Sequence, residues 1–208
     1  MIKKLKLLLI PSLIFLGILL WLLILGEQES GIVREQVVRY HVVANSDSEE
    51  DQKIKLLLRD HLFASIEDLF KDCKDAESAL QTAKASKERL EAEGEEYLRS
   101  IGAEEQVKVS IGPCFFPTKT YGSLSFPAGE YRAVRVQIGE GKGENFWCVL
   151  YPALCLSPAV SNEEGEQKMA FAVGEGPINF MQKEGQIQAV KFQLVEWFEI
   201  LRNKIKKS

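Results

Sequence analysis

The chain has 208 residues, with 26 Lys and Arg against 30 Asp and Glu and a net charge of −4 at pH 7. Three of the lysines lie in the first 26 residues, so the other 182 residues carry 23 basic and 30 acidic side chains, a net charge of −7. A protein that binds a phosphate backbone is expected to be basic, so this acidic part argues against a nucleic-acid ligand. Its length suits one buried core and gives no reason to expect two.

The N-terminal segment is predicted to be a membrane helix. The run from Leu7 to Leu25 has no charged side chain, and as a helix it would span about 28 Å, close to the thickness of the hydrocarbon layer. No Ala-x-Ala-like cleavage site follows, so residues 1–30 are predicted to be an uncleaved anchor rather than a cleaved signal. Lysines precede the run, which predicts a cytoplasmic N-terminus and places everything after Gly26 outside the cytoplasm.

The next segments predict a strand and two helices. Alternating apolar residues from Val38 to Ala44 predict a strand that ends at Asn45. Ser48, with acidic residues after it, is a typical N-cap of a first helix. A second helix is predicted from about Asp75 to Ser100, and the two helices are expected to pack as an antiparallel hairpin.

Several strands are predicted after these helices. A half-exposed strand covers Val107 to Ile111, and a hairpin turn at Pro127–Gly129 leads to a returning strand over Val134–Ile138. The continuous apolar run from Phe146 to Tyr151 predicts a central strand covered on both faces.

The C-terminal part is predicted to be a polar loop followed by a helix. Residues 157–185 are expected to be a polar variable loop region. Residues 186–206 predict an amphipathic helix that packs on the domain through Ile187, Val190, Leu194, Phe198, Leu201 and Ile205. The whole pattern predicts an α+β fold: an N-terminal membrane helix, then one domain with a mixed or antiparallel sheet, a helical hairpin and a C-terminal helix.

Four motifs occur in order between residues 36 and 156. They are His-Val-Val-Ala-Asn-Ser-Asp at 41–47 with its continuation on the first helix, Phe-Pro-Thr-Lys-Thr-Tyr-Gly at 116–122, Pro-Ala-Gly at 127–129, and the glycine-rich stretch at 139–152. Together they resemble the stage II sporulation protein R family of endospore-forming bacteria, with weaker similarity at 191–197. The residues of the first motif and its continuation that carry this resemblance are His41, Asn45, Ser46, Asp47, Asp51, Gln52, Arg59 and Asp60.

The resemblance implies a signalling protein rather than an enzyme. Members of this family are made in the forespore and exported toward the space between forespore and mother cell. There they activate a membrane-bound aspartic protease that processes the sigma-E precursor in the mother cell. The chain would then be a single-pass membrane protein, or would be released into that space if it were cleaved, and it would need no cofactor.

A contact surface for the protease is predicted around the glycine-rich loop, because aromatic residues beside flexible backbone commonly supply binding hot spots. The alternative is that the glycines make a tight connection and that the aromatic residues belong to the core. The candidate contact residues are Lys119, Tyr121, Gly139, Glu140, Gly141, Lys142, Gly143, Asn145, Phe146 and Trp147.

Two other chemical interpretations remain open. His41, near Asp47, or Cys148 could serve a cell-envelope hydrolase as base or nucleophile. A disulfide between Cys148 and Cys155 would close a short loop, although Cys148 could equally be a small buried thiol. The sequence has no Cys-x-x-Cys or His-Glu-x-x-His motif, so no metal site is predicted.

Overall fold

The structure is a computed structural model that describes residues 2–152, 163–183 and 185–207. It has the predicted α+β fold, with the apolar helix first and a long helix last. In chain order the elements are α1 (Ile2–Gln36), β1 (Val38–Val43), α2 (Glu49–Phe70), α3 (Ala76–Ala85), α4 (Lys87–Ser100), β2 (Val107–Phe116), β3 (Lys119–Tyr121), β4 (Leu124–Phe126), β5 (Gly129–Ile138), β6 (Asn145–Tyr151), α5 (Glu163–Val173), α6 (Glu175–Gln182) and α7 (Gly185–Lys207).

A mixed four-stranded sheet forms the centre of the domain, in the order β2-β5-β1-β6. β1 is parallel to β5 and antiparallel to β6, and β2 is antiparallel to β5. The prediction that residues 146–151 form a central strand is therefore wrong, because among the described strands β6 pairs with β1 alone and lies at an edge. The run is apolar because both faces of β6 are covered, with Leu150 in one core cluster and Val149 in the other.

The two faces of the sheet are covered by different helices. One core cluster joins the sheet to α2, α3 and α4, and Tyr40, Leu58 and Leu98 are fully buried in it. The other cluster joins the opposite face to the end of α1, the β3–β4 hairpin, α5, α6 and α7, and it buries Phe126 and Phe180 completely. β1 is therefore buried along its whole length.

The first helical layer differs from the predicted hairpin in one respect. Ser48 caps α2 as predicted, because its side-chain oxygen accepts a hydrogen bond from the backbone N–H of Asp51 at 3.1 Å. The single helix predicted from Asp75 is two helices, α3 and α4, that meet at Ser86. Asp75 and Ser78 form a reciprocal capping box at the start of α3, which satisfies backbone groups that a helix start leaves unpaired.

Helix α1 is both a candidate membrane span and a part of the domain. Among the described residues it is the one helix long and apolar enough to cross a membrane, over Ile10–Gln36. Leu13 and Trp21 are 64% and 60% exposed, as expected for a lipid-facing surface, whereas Val33 and Val37 are fully buried in the second core cluster. The span therefore continues into the core without a linker.

The packing face of α7 differs from the predicted one. α7 runs alongside α1 in the same direction, because Lys191 pairs with Glu29 at 3.1 Å and Glu199 pairs with Arg34 at 3.3 Å. The predicted apolar face is largely exposed, with Ile205 for example 69% exposed. The reason is that α7 packs on α1 through these ion pairs and through the close approach of Lys191 and Val195 to Gly26. The side of α7 that is buried against the domain contains Lys191, Phe192, Val195 and Glu199.

The segment predicted to be a polar loop contains helices α5 and α6 where the structure describes it. Met169, Phe180 and Met181 are fully buried in the second core cluster. Met169 and the pair Phe180–Met181 lie eleven positions apart in the sequence, so they share one buried surface only after the segment has become helical.

Candidate functional site

The first family motif forms a junction between β1, α2 and the β5–β6 loop. The Asn45 side chain accepts a hydrogen bond from the backbone N–H of Glu140 at 3.0 Å and donates one to the Asp51 carboxylate at 3.1 Å. The Ser46 hydroxyl also donates to Asp51. These bonds, with a smaller contribution from Ser48, lower the pKa of the Asp51 carboxyl, because they favour its ionised form.

The first turns of α2 complete this junction. The Gln52 side chain donates to the Ser46 carbonyl at 2.8 Å, and Lys55 donates both to Gln52 and to the Glu144 carbonyl, the latter at 3.1 Å. Burial lowers the pKa of the Lys55 ammonium, although the nearby Glu144 opposes this effect. The junction is therefore held together by hydrogen bonds between a helix start and a loop.

Two glycines let the loop approach the junction closely. Gly139 has φ +52°, and a Cβ there would lie 2.3 Å from the Asn45 side-chain oxygen. A Cβ on Gly143 would lie 2.1 Å from the Ser46 carbonyl oxygen. Atoms cannot approach so closely, so these positions require glycine. The interpretation of the glycines as a tight connection is consistent with this geometry.

The exposed part of the loop is charged. Glu140 and Lys142 form an ion pair of 2.6 Å, and their side chains are 67% and 75% exposed. Asn145 follows and is also exposed. The surface that the loop offers to a partner is therefore polar.

The two aromatic residues after the loop contact their own domain. Arg59 lies over the Phe146 ring at 4.5 Å and also binds Asp60 at 2.6 Å. Trp147 stacks on His41, with ring centroids 3.8 Å apart. Phe146 and Trp147 are both half-buried, so each presents only part of its ring to a partner.

The second motif surrounds a buried arginine that sequence reasoning missed. Tyr121 donates its hydroxyl hydrogen to the Trp147 carbonyl at 2.9 Å and accepts a hydrogen bond from Arg39 at 3.2 Å. The Arg39 guanidinium is fully buried and lies 4.5 Å from the centroid of Phe116 and 5.0 Å from that of Phe126. The sequence feature that points to this buried arginine is a charged residue within the apolar strand β1. Lys119 lies on β3, two residues before Tyr121, and is half-buried.

His41 is buried. Among the described hydrogen bonds it makes none with Asp47, the carboxylate that the hydrolase hypothesis assigned to it. Its Nε2 lies 2.7 Å from the Asn145 side-chain oxygen, and its Nδ1 lies 3.8 Å from the sulfur of Cys114. Burial lowers the pKa of His41 to about 4, with a smaller contribution from Arg135 and an opposing one from Asn145. Asp47 is exposed.

Of the three cysteines that the structure describes, one is disulfide-bonded and two are free thiols. Cys148 is disulfide-bonded, so its sulfur is not a nucleophilic thiol; Cys155, its predicted partner, lies outside the described residues. Cys73 and Cys114 are free thiols. In the parts of the chain that the structure describes, no group of His, Cys, Asp and Glu side chains could hold a metal ion.

Comparisons with known proteins agree on one family. The model of the family "Stage II sporulation protein R" matches residues 34–161. Stage II sporulation protein R of Bacillus subtilis strain 168 is 32% identical over 192 residues, which cover 85% of this chain and 86% of that protein. No solved structure matches the chain.

Proposed function

The chain belongs to the stage II sporulation protein R family, and from this premise we propose that it activates a membrane-bound aspartic protease from outside the cytoplasm. In this proposal the forespore makes the chain and exports its domain toward the mother cell. The protease then processes the sigma-E precursor in the mother cell. The broader role, sporulation signalling, is that of the family itself.

The observation that best supports this proposal is the direct continuation of α1 into the domain. Val33 is fully buried in the core, and Arg34, which follows the apolar run by nine residues on the same helix, pairs with Glu199 of α7. A domain joined to a membrane span in this way is held at the bilayer surface, where a membrane-bound partner is also found. The lysines before the span favour the orientation in which this surface is extracytoplasmic.

We place the contact with the protease on the exposed part of the β5–β6 loop, at Glu140, Lys142 and Asn145. The junction with Asn45 and Ser46 holds this loop in one shape before binding, and preorganisation of this kind reduces the entropy lost on association. Activation requires that the chain bind the active state of the protease more tightly than the inactive state, since only that difference shifts the equilibrium.

Site-specific photo-crosslinking tests the contact. A photoreactive residue is placed at Glu140 or Lys142 of the full chain, and the chain is reconstituted with the protease and the sigma-E precursor in vesicles. Glu88, exposed on α4, and Leu201, exposed on α7, serve as control positions. We expect crosslinks to the protease from the two loop positions. Crosslinks from Leu201 alone would move the contact to α7, and their absence from every position would contradict direct contact.

A charge exchange tests whether the loop matters for signalling. The double variant Glu140→Lys with Lys142→Glu keeps the exposed ion pair, so the stability of the domain should stay unchanged, but it inverts the charge pattern that a partner meets. We expect reduced processing of the sigma-E precursor with unchanged amounts of folded chain. Processing at the original rate would contradict a role for this loop and would leave the assignment to the family intact.

A further inference from the structure

A pocket of about 320 Å³ opens on the face of the sheet that carries His41. Small residues form it: Gly112 of β2 is the register neighbour of Ala133 of β5, and a Cβ on Gly112 would meet no atom within 4 Å. Cys114 and Arg135 also line the pocket. The half-exposed thiol of Cys114 therefore borders a pocket that is open to solvent and is lined largely by backbone and small side chains.

Cys114, His41 and Asn145 are arranged in a chain of polar contacts. The Cys114 sulfur lies 3.8 Å from His41 Nδ1, and His41 Nε2 lies 2.7 Å from the Asn145 side-chain oxygen. An amide oxygen accepts a hydrogen bond, so it places the ring hydrogen of His41 on Nε2. The lone pair of Nδ1 then faces the thiol.

The environment keeps this imidazole neutral and holds it in one orientation. Burial lowers the pKa of His41 to about 4, so the ring is neutral at neutral pH and its free lone pair can accept a proton, but it is a weaker base than an ordinary imidazole. Trp147 stacks on one side at 3.8 Å, and Phe116 contacts the ring edge-on at 6.0 Å between centroids. The ring therefore cannot rotate away from Cys114 without displacing two aromatic side chains.

Arg135 supplies a positive charge at the same pocket. Its Nε is buried and has no hydrogen-bond partner among the described residues. Its charge lowers the pKa of Cys114, although burial has the larger effect and raises it. Because Arg135 lines the pocket, the positive charge of its guanidinium would attract a ligand carboxylate there.

We propose that Cys114 and His41, with Asn145 as the residue that positions His41, form an acyl-transfer centre for a small ester or amide that carries a carboxylate bound by Arg135. This activity goes beyond the proposed signalling function and does not depend on it. The same pattern of thiol, imidazole and amide serves nucleophilic catalysis on unrelated folds, where geometry rather than chain order identifies it.

The reaction balances with water as the second substrate. The Cys114 sulfur attacks the carbonyl carbon while its proton passes to His41 Nδ1. The tetrahedral intermediate expels the alcohol or amine, which takes the proton from Nδ1, and a thioester remains on Cys114. Water then attacks the thioester and gives a proton to Nδ1, the carboxylic acid leaves, and the proton returns to the sulfur.

Alkylation of the full chain in detergent micelles tests the thiol, with Cys73 as an internal reference. Cys73 is also free and half-exposed, but its side chain lies 3.6 Å from the hydroxyl of Thr82 and not beside a histidine. Because burial raises the pKa of Cys114, the test compares each variant with the original chain: we expect His41→Gln to slow iodoacetate labelling of Cys114 while leaving that of Cys73 unchanged. Arg135→Gln should lower the ratio of iodoacetate to iodoacetamide labelling at Cys114. Labelling of Cys114 that neither substitution changes relative to Cys73 would overturn the proposal.

Acyl transfer is tested with 4-nitrophenyl acetate as the probe. We expect release of nitrophenolate with one acetyl group on Cys114, found by mass spectrometry, and a rate lower by about 100-fold in His41→Gln. Because His41 is buried, the exposed Asn145 provides a second test: Asn145→Ala should slow acylation, and Asn145→Asp, which keeps the acceptor, should restore it. Acetylation elsewhere, or a rate unaffected by these substitutions, would show that the trio is only a packed polar cluster.

Discussion

Gly143→Ala tests the junction between the first motif and the loop most directly. The added Cβ would lie 2.1 Å from the Ser46 carbonyl oxygen, 2.6 Å from the Ser46 carbonyl carbon and 2.9 Å from the Ala44 Cβ. The two closest atoms are backbone, so a side-chain rotation cannot relieve the overlap. The loop has to move away from the start of α2 by roughly an ångström to restore van der Waals contact.

The cost of that movement can be worked out from the hydrogen bonds it breaks. Gly143 donates to the Ala44 carbonyl at 3.0 Å and Lys142 to the Asn45 carbonyl at 3.1 Å. Lys55 donates to the Glu144 carbonyl at 3.1 Å. At about 1 kcal/mol for each bond, the free energy of unfolding should fall by about 2 to 3 kcal/mol, and Tm should fall by about 4 to 12 °C in a domain of this size.

Thermal unfolding of the full chain in detergent, followed by circular dichroism, measures this effect. Gly31→Ala is the matched control, because Gly31 lies inside α1 and a Cβ there meets no atom within 4 Å. That substitution should leave Tm unchanged or raise it slightly, since alanine favours a helix over glycine by about 1 kcal/mol. If Gly143→Ala unfolds at the temperature of the original chain, the loop is not held by this close approach.

Three further predictions concern the buried polar groups and one cap. The pKa of His41 is about 4 in the folded chain, below its ordinary value of about 6.5. Between these two pH values the unfolded chain binds more protons than the folded chain. The free energy of unfolding should therefore be highest above pH 6.5 and fall by about 3 kcal/mol toward pH 4. Urea unfolding at several pH values should show this slope, and His41→Gln should flatten it. Arg39→Ala should lower the free energy of unfolding, measured in urea, by about 3 kcal/mol, because it leaves a cavity among aromatic rings. A decrease of less than about 1 kcal/mol would contradict the packing role of Arg39. Ser48→Ala should cost about 1 kcal/mol in the same assay by removing the cap of α2, with Ser48→Asp as the variant that should restore it.

The local signals in the sequence were reliable where one short segment contained all the information. The N-cap at Ser48 depends on a hydroxyl and a backbone N–H three residues apart, and the structure confirms it. The apolar run in α1 depends on composition alone and coincides with the one candidate span in the described residues. The packing side of α7 could not be found in this way, because it depends on the ion pairs of Lys191 and Glu199 with α1.

The candidate site likewise has a part that the sequence predicted and a part that only the structure showed. The first motif could be recognised as a unit, but the sequence did not show that Asn45 would bind the backbone of Glu140 on the β5–β6 loop. The hydrolase hypothesis paired His41 with Asp47, whereas the structure places His41 beside Asn145 and Cys114. Cys114 follows it by 73 positions and Asn145 by 104, and such separations leave no periodic signal in the chain.

The sequence by itself determined the class of the fold, the N-terminal apolar helix, the start of α2 and the resemblance to one family, because composition, period and motifs are properties of contiguous residues. The tertiary structure decided the order of the strands, the edge position of β6, the buried surroundings of Arg39 and the meeting of Cys114, His41 and Asn145. The physical reason is that β1 pairs with both β5 and β6, and that β2 pairs with β5. That pairing brings together side chains from distant parts of the chain, whose proximity depends on how the strands are ordered in the sheet.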